Sequence, residues 1–252
     1  MRIPALALLS TCLMGQASAQ GFVTPDGFGW SRGDANTSFY SWDDFTTATG
    51  PNAPDAGAFP AQLPGSWVSP SVTETTGTAF VTSTGNIYSF TTQLAFEVVV
   101  PAEPIEGGTT TVLLQTRTQG REVDHATLFC NGQPPVEYVE HYRFTLGPKD
   151  VLGGDLVDAL WRFEVPATGT ATITFDGTDL SMSLDRLEVD TFSTEGTACL
   201  ADVNGDGSVT PADFSAWVAA FNTQSAGCDQ NGDGACSPAD FSAWVSNFNA
   251  GC

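Results

Sequence analysis

The sequence predicts a mainly β protein: an antiparallel jelly-roll-type β-sandwich followed by a small all-α module made from a duplicated loop–helix unit. Three observations predict it. Residues 20–194 are rich in Thr, Val, Phe and Gly and carry short runs of β-branched and aromatic residues. Pro and Gly punctuate those runs at Pro101, Pro104, Gly107-Gly108, Pro134-Pro135, Pro166 and Asp176-Gly177. The stretch DVNGDGSVTPADFSAWV (202–218) then returns 27 residues later as DQNGDGACSPADFSAWV (229–245), identical at thirteen of seventeen positions.

Taken in order, residues 1–19 read as a secretory signal peptide. Arg2 is a short basic head, Ile3 to Met14 is largely apolar, and Ala17-Ser18-Ala19 is a small-residue cleavage site. The apolar run is too short to span a bilayer, and no later segment reaches the roughly 18 apolar residues a span requires. The mature chain is therefore expected to be exported, without a membrane span. Its first fifty residues are heavy in Gly, Pro and aromatics and are expected to wrap the sandwich rather than form its centre. TAFVT (78–82), NIYSFTTQLAFEVVV (86–100), TTTVLLQTRT (109–118), VEYVEHYRF (136–144), LWRFEV (160–165), TATITF (170–175) and SLDRLEV (183–189) read as strands. Several strands at this spacing suggest a sandwich of jelly-roll type. The small, polar segment TFSTEGTA (191–198) reads as a linker, which divides the mature chain into a domain at 20–194 and a module at 195–252.

The formal net charge of −21 argues against nucleic acid as a partner, because little basic surface is left to neutralise phosphate. The domain contains no G-x-S-x-G, no H-E-x-x-H and no Gly-rich phosphate loop. Its histidines, His125 and His141, stand beside Glu122, Asp124 and Glu140. They read as ordinary strand histidines, since fewer than three metal ligands are assured. The 23 acids of residues 20–195 leave a carboxylate pair for glycoside hydrolysis open, without a motif to mark one. Trp30, Tyr40, Trp42, Trp67, Tyr88 and Trp161 offer flat faces that could stack on sugar rings, although packing is the commoner use of such residues. Asn36-Thr37-Ser38 fits a glycosylation acceptor, a pattern common by chance. No catalytic residue is assigned.

The duplicated unit carries chemistry. Positions 1, 3, 5, 6 and 12 of the first copy are Asp202, Asn204, Asp206, Gly207 and Asp213; in the second they are Asp229, Asn231, Asp233, Gly234 and Asp240. This is the D-x-N-x-D-G calcium-loop pattern with Asp in place of the usual terminal Glu. Calcium takes six to eight hard oxygens at about 2.3–2.6 Å, and alternate side chains of a tight loop supply three of them. The backbone carbonyls of Ser208 and Ala235 fit position 7, Thr210 and Ser237 fit position 9, and the glycines permit the turn. Between Cys199 and Cys252 all six acids are Asp at positions 1, 5 or 12, and there is no Lys or Arg. Such a cluster repels itself unless a cation neutralises it, so two calcium ions are expected.

Each loop runs into a helix. Thr210-Pro211-Ala212-Asp213 and Ser237-Pro238-Ala239-Asp240 supply an N-cap, a Pro at N1 and a capping-box acid at N3. Phe214, Trp217, Val218 and Phe221, and then Phe241, Trp244, Val245 and Phe248, form apolar stripes. One such helix is too short to stand alone, whereas two can bury their stripes against each other. Four of the five mature cysteines lie in the module and allow three connectivities. Cys199–Cys252, tying the ends, with Cys228–Cys236 is the preferred set, and Cys130 is expected to be a buried free thiol.

Residues 199–252 resemble a type I dockerin: loop–helix, linker, loop–helix, with no helical stripe ahead of the first loop. More narrowly they resemble the cysteine-bearing, Gly-Cys-terminated dockerin-like tails of exported bacterial proteins, here ending FNAGC. The resemblance implies docking onto a cohesin-like or other surface protein through residues 195–252. Loop positions 10 and 11, which help select cohesins in cellulosomal dockerins, are Pro-Ala in both copies, which departs from a cellulosomal partner. SMSLDRLEVDTF (181–192) weakly resembles the closing strand of galactose-binding-like sandwiches. The leading expectation is an exported, calcium-binding protein whose module anchors a non-catalytic sandwich to a cell-surface or extracellular assembly. The alternatives are a polysaccharide-active hydrolase or lyase attached in the same way, and a lectin-like carbohydrate-binding module.

Overall fold

The computed structural model describes residues 21–58, 68–147, 153–196, 199–206 and 208–251. The strands are β1 (Thr37–Trp42), β2 (Ala56–Ala58), β3 (Ser71–Glu74), β4 (Phe80–Val81), β5 (Ile87–Tyr88), β6 (Ala95–Pro101), β7 (Thr109–Gly120), β8 (Phe129–Cys130), β9 (Glu137–Gly147), β10 (Gly154–Pro166), β11 (Thr170–Asp176) and β12 (Met182–Thr194). Two helices follow, α1 (Pro211–Thr223) and α2 (Pro238–Ala250). The protein is mainly β. Among the described residues the strands make two antiparallel sheets. The larger runs β2-β1-β12-β7-β10-β9, with β5 also on β12 and β4 on β5; the smaller runs β3-β6-β11-β8.

The small sheet shows how sequence becomes packing. In β6 Phe96, Val98 and Val100 are buried while Glu97 and Val99 are not; in β11 Ala171, Ile173 and Phe175 are buried between less buried threonines. Alternation of this kind lays one apolar face against the core. Phe96 and Phe175 sit opposite each other in register and stack at 5.1 Å. The large sheet contributes Trp42, Leu114, Trp161, Phe163, Leu187 and Val189 to the same hydrophobic cluster, a sandwich-like arrangement. That cluster contains no residue beyond Val189. Cys130 is a free thiol within it, and burial pushes its pKa up to about 12.

Strands β7, β10 and β12 are each buried on both faces over part of their length, and residues 21–34 lie over the outer face of β7 and β12. Val23 exchanges two hydrogen bonds with the Gln115 side chain, at 2.8 and 2.9 Å. Trp30 stacks on Phe192 at 5.3 Å. Arg32 donates to Asp190 (2.6 and 2.9 Å) and to Glu188 (2.7 Å), both buried in β12. The expected wrapping therefore holds for residues 21–34. It fails for β1, which lies within the sheet between β12 and β2 and sends Trp42 into the core.

Other expectations are corrected. The run 86–100 divides into β5 and β6, which belong to different sheets. Strand β10 begins six residues before the apolar run at 160–165, because Arg117 holds buried Asp158 through two 2.7 Å bonds. Residues 191–194 are not linker: they pair with β7 in β12, and Thr191 is fully buried. Residues 197–198 and residues 1–19, expected to be a signal peptide, lie outside the described residues.

Asn52 ties the two sheets together. Its Oδ1 accepts from the backbone N–H groups of Thr46 (2.9 Å) and Thr47 (3.0 Å), and its Nδ2 donates to the carbonyls of Thr47, Gly50 and Val72. Its own carbonyl accepts from Trp42 Nε1 at 2.9 Å. Asn52→Ala removes these five side-chain bonds from a buried residue, each contributing a net of roughly 0.5–1.5 kcal/mol. A loss of about 3 kcal/mol is expected, measured from the urea unfolding midpoint at unchanged slope.

Candidate calcium loops

The two loops are held in the same way. In the first, Asp206 N–H donates to Asp202 Oδ1 (3.1 Å) and Asn204 Oδ1 (2.9 Å), and Ser208 N–H to Asp206 Oδ1 (2.9 Å). In the second, Asp233 N–H donates to Asp229 Oδ1 (3.1 Å) and Asn231 Oδ1 (2.9 Å), and Ala235 N–H to Asp233 Oδ1 (2.9 Å). Asn204 and Asn231 each donate from Nδ2 to the aspartate at position 5, at 2.9 and 3.0 Å. These short polar side chains turn the backbone inward, which is the local reason the loops form.

The position-12 aspartates close each loop onto its helix. Asp213 accepts from Asn204 N–H (3.2 Å) and Thr210 N–H (2.8 Å); Asp240 accepts from Asn231 N–H (3.3 Å), Gln230 N–H (3.0 Å) and Ser237 N–H (2.7 Å). Both helices carry the complete capping box that the sequence predicts. Both carboxylates are buried, and the N–H groups of Thr210 and Ser237 hold them below the ordinary carboxylate range. The hydroxyls of Thr210 and Ser237 serve as N-caps, each accepting an N–H at 3.2 Å.

Gly234 has φ of +82°, the left-handed region that position 6 requires. Its counterpart Gly207 lies outside the described residues. Sequence reasoning missed position 4, where Gly205 and Gly232 have φ of +71° and +74°. The repeated N-G-D-G signal could have located them.

The helices meet through reciprocal aromatic contacts. Phe214 lies 5.2 Å from Trp244, and Trp217 lies 5.6 Å from Phe241. Equivalent residues also face each other, Phe214 with Phe241 at 5.9 Å and Trp217 with Trp244 at 6.5 Å. The stripes thus pack on one another about a quasi-two-fold relation. Only Trp217 and Trp244 are buried; Phe214, Val218, Phe241 and Val245 remain exposed. The relation is imperfect: Trp217 Nε1 donates to Cys228 O at 3.2 Å, whereas Trp244 Nε1 is buried without a partner. Cys228 and Cys236 are disulfide-bonded, their Cα atoms 5.5 Å apart. Cys199 is also disulfide-bonded, and its expected partner Cys252 lies outside the described residues.

All donors assigned to the loops are oxygens, the hard set that calcium requires. Each set includes an Asn amide oxygen and a backbone carbonyl beside its carboxylates. Among the described residues no three His, Cys, Asp or Glu side chains converge as a metal group by themselves. This applies equally to the histidines of the sheet region. His125 accepts from Trp161 Nε1 at 3.3 Å and meets Tyr138 edge-on, while Arg143 engages the neighbouring Glu122 and Glu140.

Of the aromatics considered for stacking on sugars, Trp30, Tyr40, Trp42 and Trp161 are buried in packing, and Trp67 lies outside the described residues. Tyr88 alone remains partly exposed among those described. Ser38 of the glycosylation pattern is buried, its hydroxyl bonded to Pro101 O and Thr191 Oγ1. One cleft, lined by Trp30, Glu137, Arg162 and Glu164 among others, places two carboxylates together. Arg162 lies between them and pairs with both, so they share one guanidinium. No helix among the described residues is long and apolar enough to cross a membrane. Comparison with known proteins returns no matching family model, no matching curated protein and no matching solved structure.

Proposed function

We propose that this chain is an exported calcium-binding protein in which a dockerin-like module, residues 195–252, docks a jelly-roll-type β-sandwich onto a cohesin-like or other surface protein. Two calcium ions are assigned, one to Asp202, Asn204, Asp206, Ser208 and Asp213, the other to Asp229, Asn231, Asp233, Ala235 and Asp240. The observation that carries the docking reading is the matched set of apolar side chains left exposed on the paired helices: Phe214 and Val218 on α1, Phe241 and Val245 on α2. Phe214 and Phe241 lie 5.9 Å apart, so the two helices contribute to one exposed apolar surface, the kind that marks interaction sites. The exposed Pro211-Ala212 and Pro238-Ala239 pairs begin the same helices.

The test uses the full mature chain and envelope fractions of its source. Binding is expected in calcium and lost in EGTA. A Val218→Asp/Val245→Asp double variant is expected to lose binding while still taking up two calcium ions, because a charge desolvated in an apolar interface is costly. Unimpaired binding by that variant, or binding indifferent to calcium, would refute the docking reading.

A further inference from the structure

We infer that the rim of the large sheet carries a binding site for a neutral oligosaccharide, in the cleft between the β4–β5 hairpin and the ends of β7 and β12. The cleft holds about 320 Å³, at the lower end of the range for ligand sites. Three aromatic rings form one wall. Phe80 and Phe90 stack at 5.5 Å, and Tyr88 meets them edge-on at 5.6 and 4.6 Å. Phe80 is 41% exposed and Phe90 56% exposed, unlike the aromatics of the core. Both rings therefore keep surface open to the cleft beside their mutual contact.

The opposite lining is polar. Thr82, Thr84, Asn86, Gln119, Arg121 and Ser183 all border the cleft. Asn86 is buried and oriented by its Nδ2 donating to Ser183 Oγ at 3.2 Å. Arg121 is the one charged side chain of the lining among the described residues; it pairs at 3.5 Å with Asp179, and its Nε is buried without a partner. The floor is drawn tight by glycine. Gly120 has φ of +87°, and a Cβ there would come within 2.4 Å of Ser181 O. That close approach brings the ends of β7 and β12 together beneath the rings.

This combination selects a class of ligand. A pyranose has one face of C–H bonds and a rim of hydroxyls. The C–H hydrogens carry slight positive charge and suit the negative face of an aromatic ring. The hydroxyls both donate and accept, matching amide and hydroxyl side chains that do the same. A wholly apolar ligand would desolvate the exposed Gln119 amide without pairing it. A polyanion is disfavoured by one arginine set against a chain of net charge −21.

The inference is independent of the calcium reading, so its test separates the two. Isothermal titration of the full mature chain is made with cellohexaose, xylohexaose, mannohexaose and laminarihexaose, in calcium and in EGTA. Saturable binding is expected for at least one, weakened tenfold or more by Phe90→Ala and by Gln119→Ala, and unaffected by Tyr138→Ala on distant β9. Both test side chains lie at the sheet rim, and unchanged circular dichroism checks that the fold survives. Binding to none of the four, binding that Phe90→Ala leaves intact, or binding lost with calcium would overturn the assignment. So would saturable uptake of the apolar dye ANS at the cleft that no glycan displaces, which would give the rings to an apolar partner.

Discussion

Removing calcium is expected to abolish the helical signal of this protein while leaving its β signal in place. Each loop gathers three aspartates into a few residues, and no Lys or Arg lies between Cys199 and Cys252 to offset them. Without a cation those carboxylates repel, and the N–H groups that bridge them must hold the loop alone. Binding energy therefore becomes folding energy. At a hundredfold excess over Kd each site contributes about 2.7 kcal/mol. Two 13-residue helices have little intrinsic stability to set against that loss. Titration with EGTA followed at 222 nm should show the helical band disappear and return with calcium, and calorimetry should count two ions. A spectrum unmoved by chelation, or no heat of binding, would end the calcium reading. Oxidised and reduced samples should be compared, because the Cys228–Cys236 bond restrains the unfolded segment.

Breaking either loop is expected to unfold both helices. Asp202→Ala and Asp229→Ala each remove a position-1 carboxylate, and Asp229 also accepts from Gly232 and Gly234 N–H at 2.8 Å. Each variant should bind one calcium fewer. The unfolding spreads because neither helix has a core of its own: Phe214 rests on Trp244, and Trp217 on Phe241. The fluorescence of Trp217 and of Trp244 should therefore shift together in either variant, read with the other tryptophan replaced by Phe. Retention of two ions would refute the ligand assignment. One tryptophan shifting while the other stays buried would show that the shared packing does not couple the halves. The sheets should be indifferent to both variants, since their core cluster includes no residue of α1 or α2.

Much of this structure is legible locally. The capping boxes at Thr210 and Ser237 need only residues three apart, and the loop bonds need only residues within a dozen positions. The alternation in β6 and β11 appears because one face of the small sheet is buried and the other is not. The short strands were hidden for the opposite reason. β2, β3 and β8 have two to four residues each, too few to establish a period, and pairing with a longer neighbour is what makes them strands. Of the N-terminal aromatics, Tyr40 and Trp42 are packed within β1, and Trp30 is packed on the sheet from a segment outside the strands, so loop character did not mean exposure.

By itself, the sequence determined the mainly β character and the two capped helices with their facing stripes; among three possible connectivities the structure then decided the Cys228–Cys236 pairing. The β character and the helices follow from interactions between near neighbours in the chain, or from the simple apolarity of a side chain. Only the tertiary structure decided which polar residues could be buried and which aromatics stayed open. Asp190 and Glu188 are buried because Arg32, more than 150 residues away, reaches them across the sheet. Phe80, Tyr88 and Phe90 share a cleft with Gln119 and Arg121 because β5 pairs with β12, and β12 with β7. Burial and convergence are properties of contacts distant in sequence, and a periodicity read along the chain has no access to them.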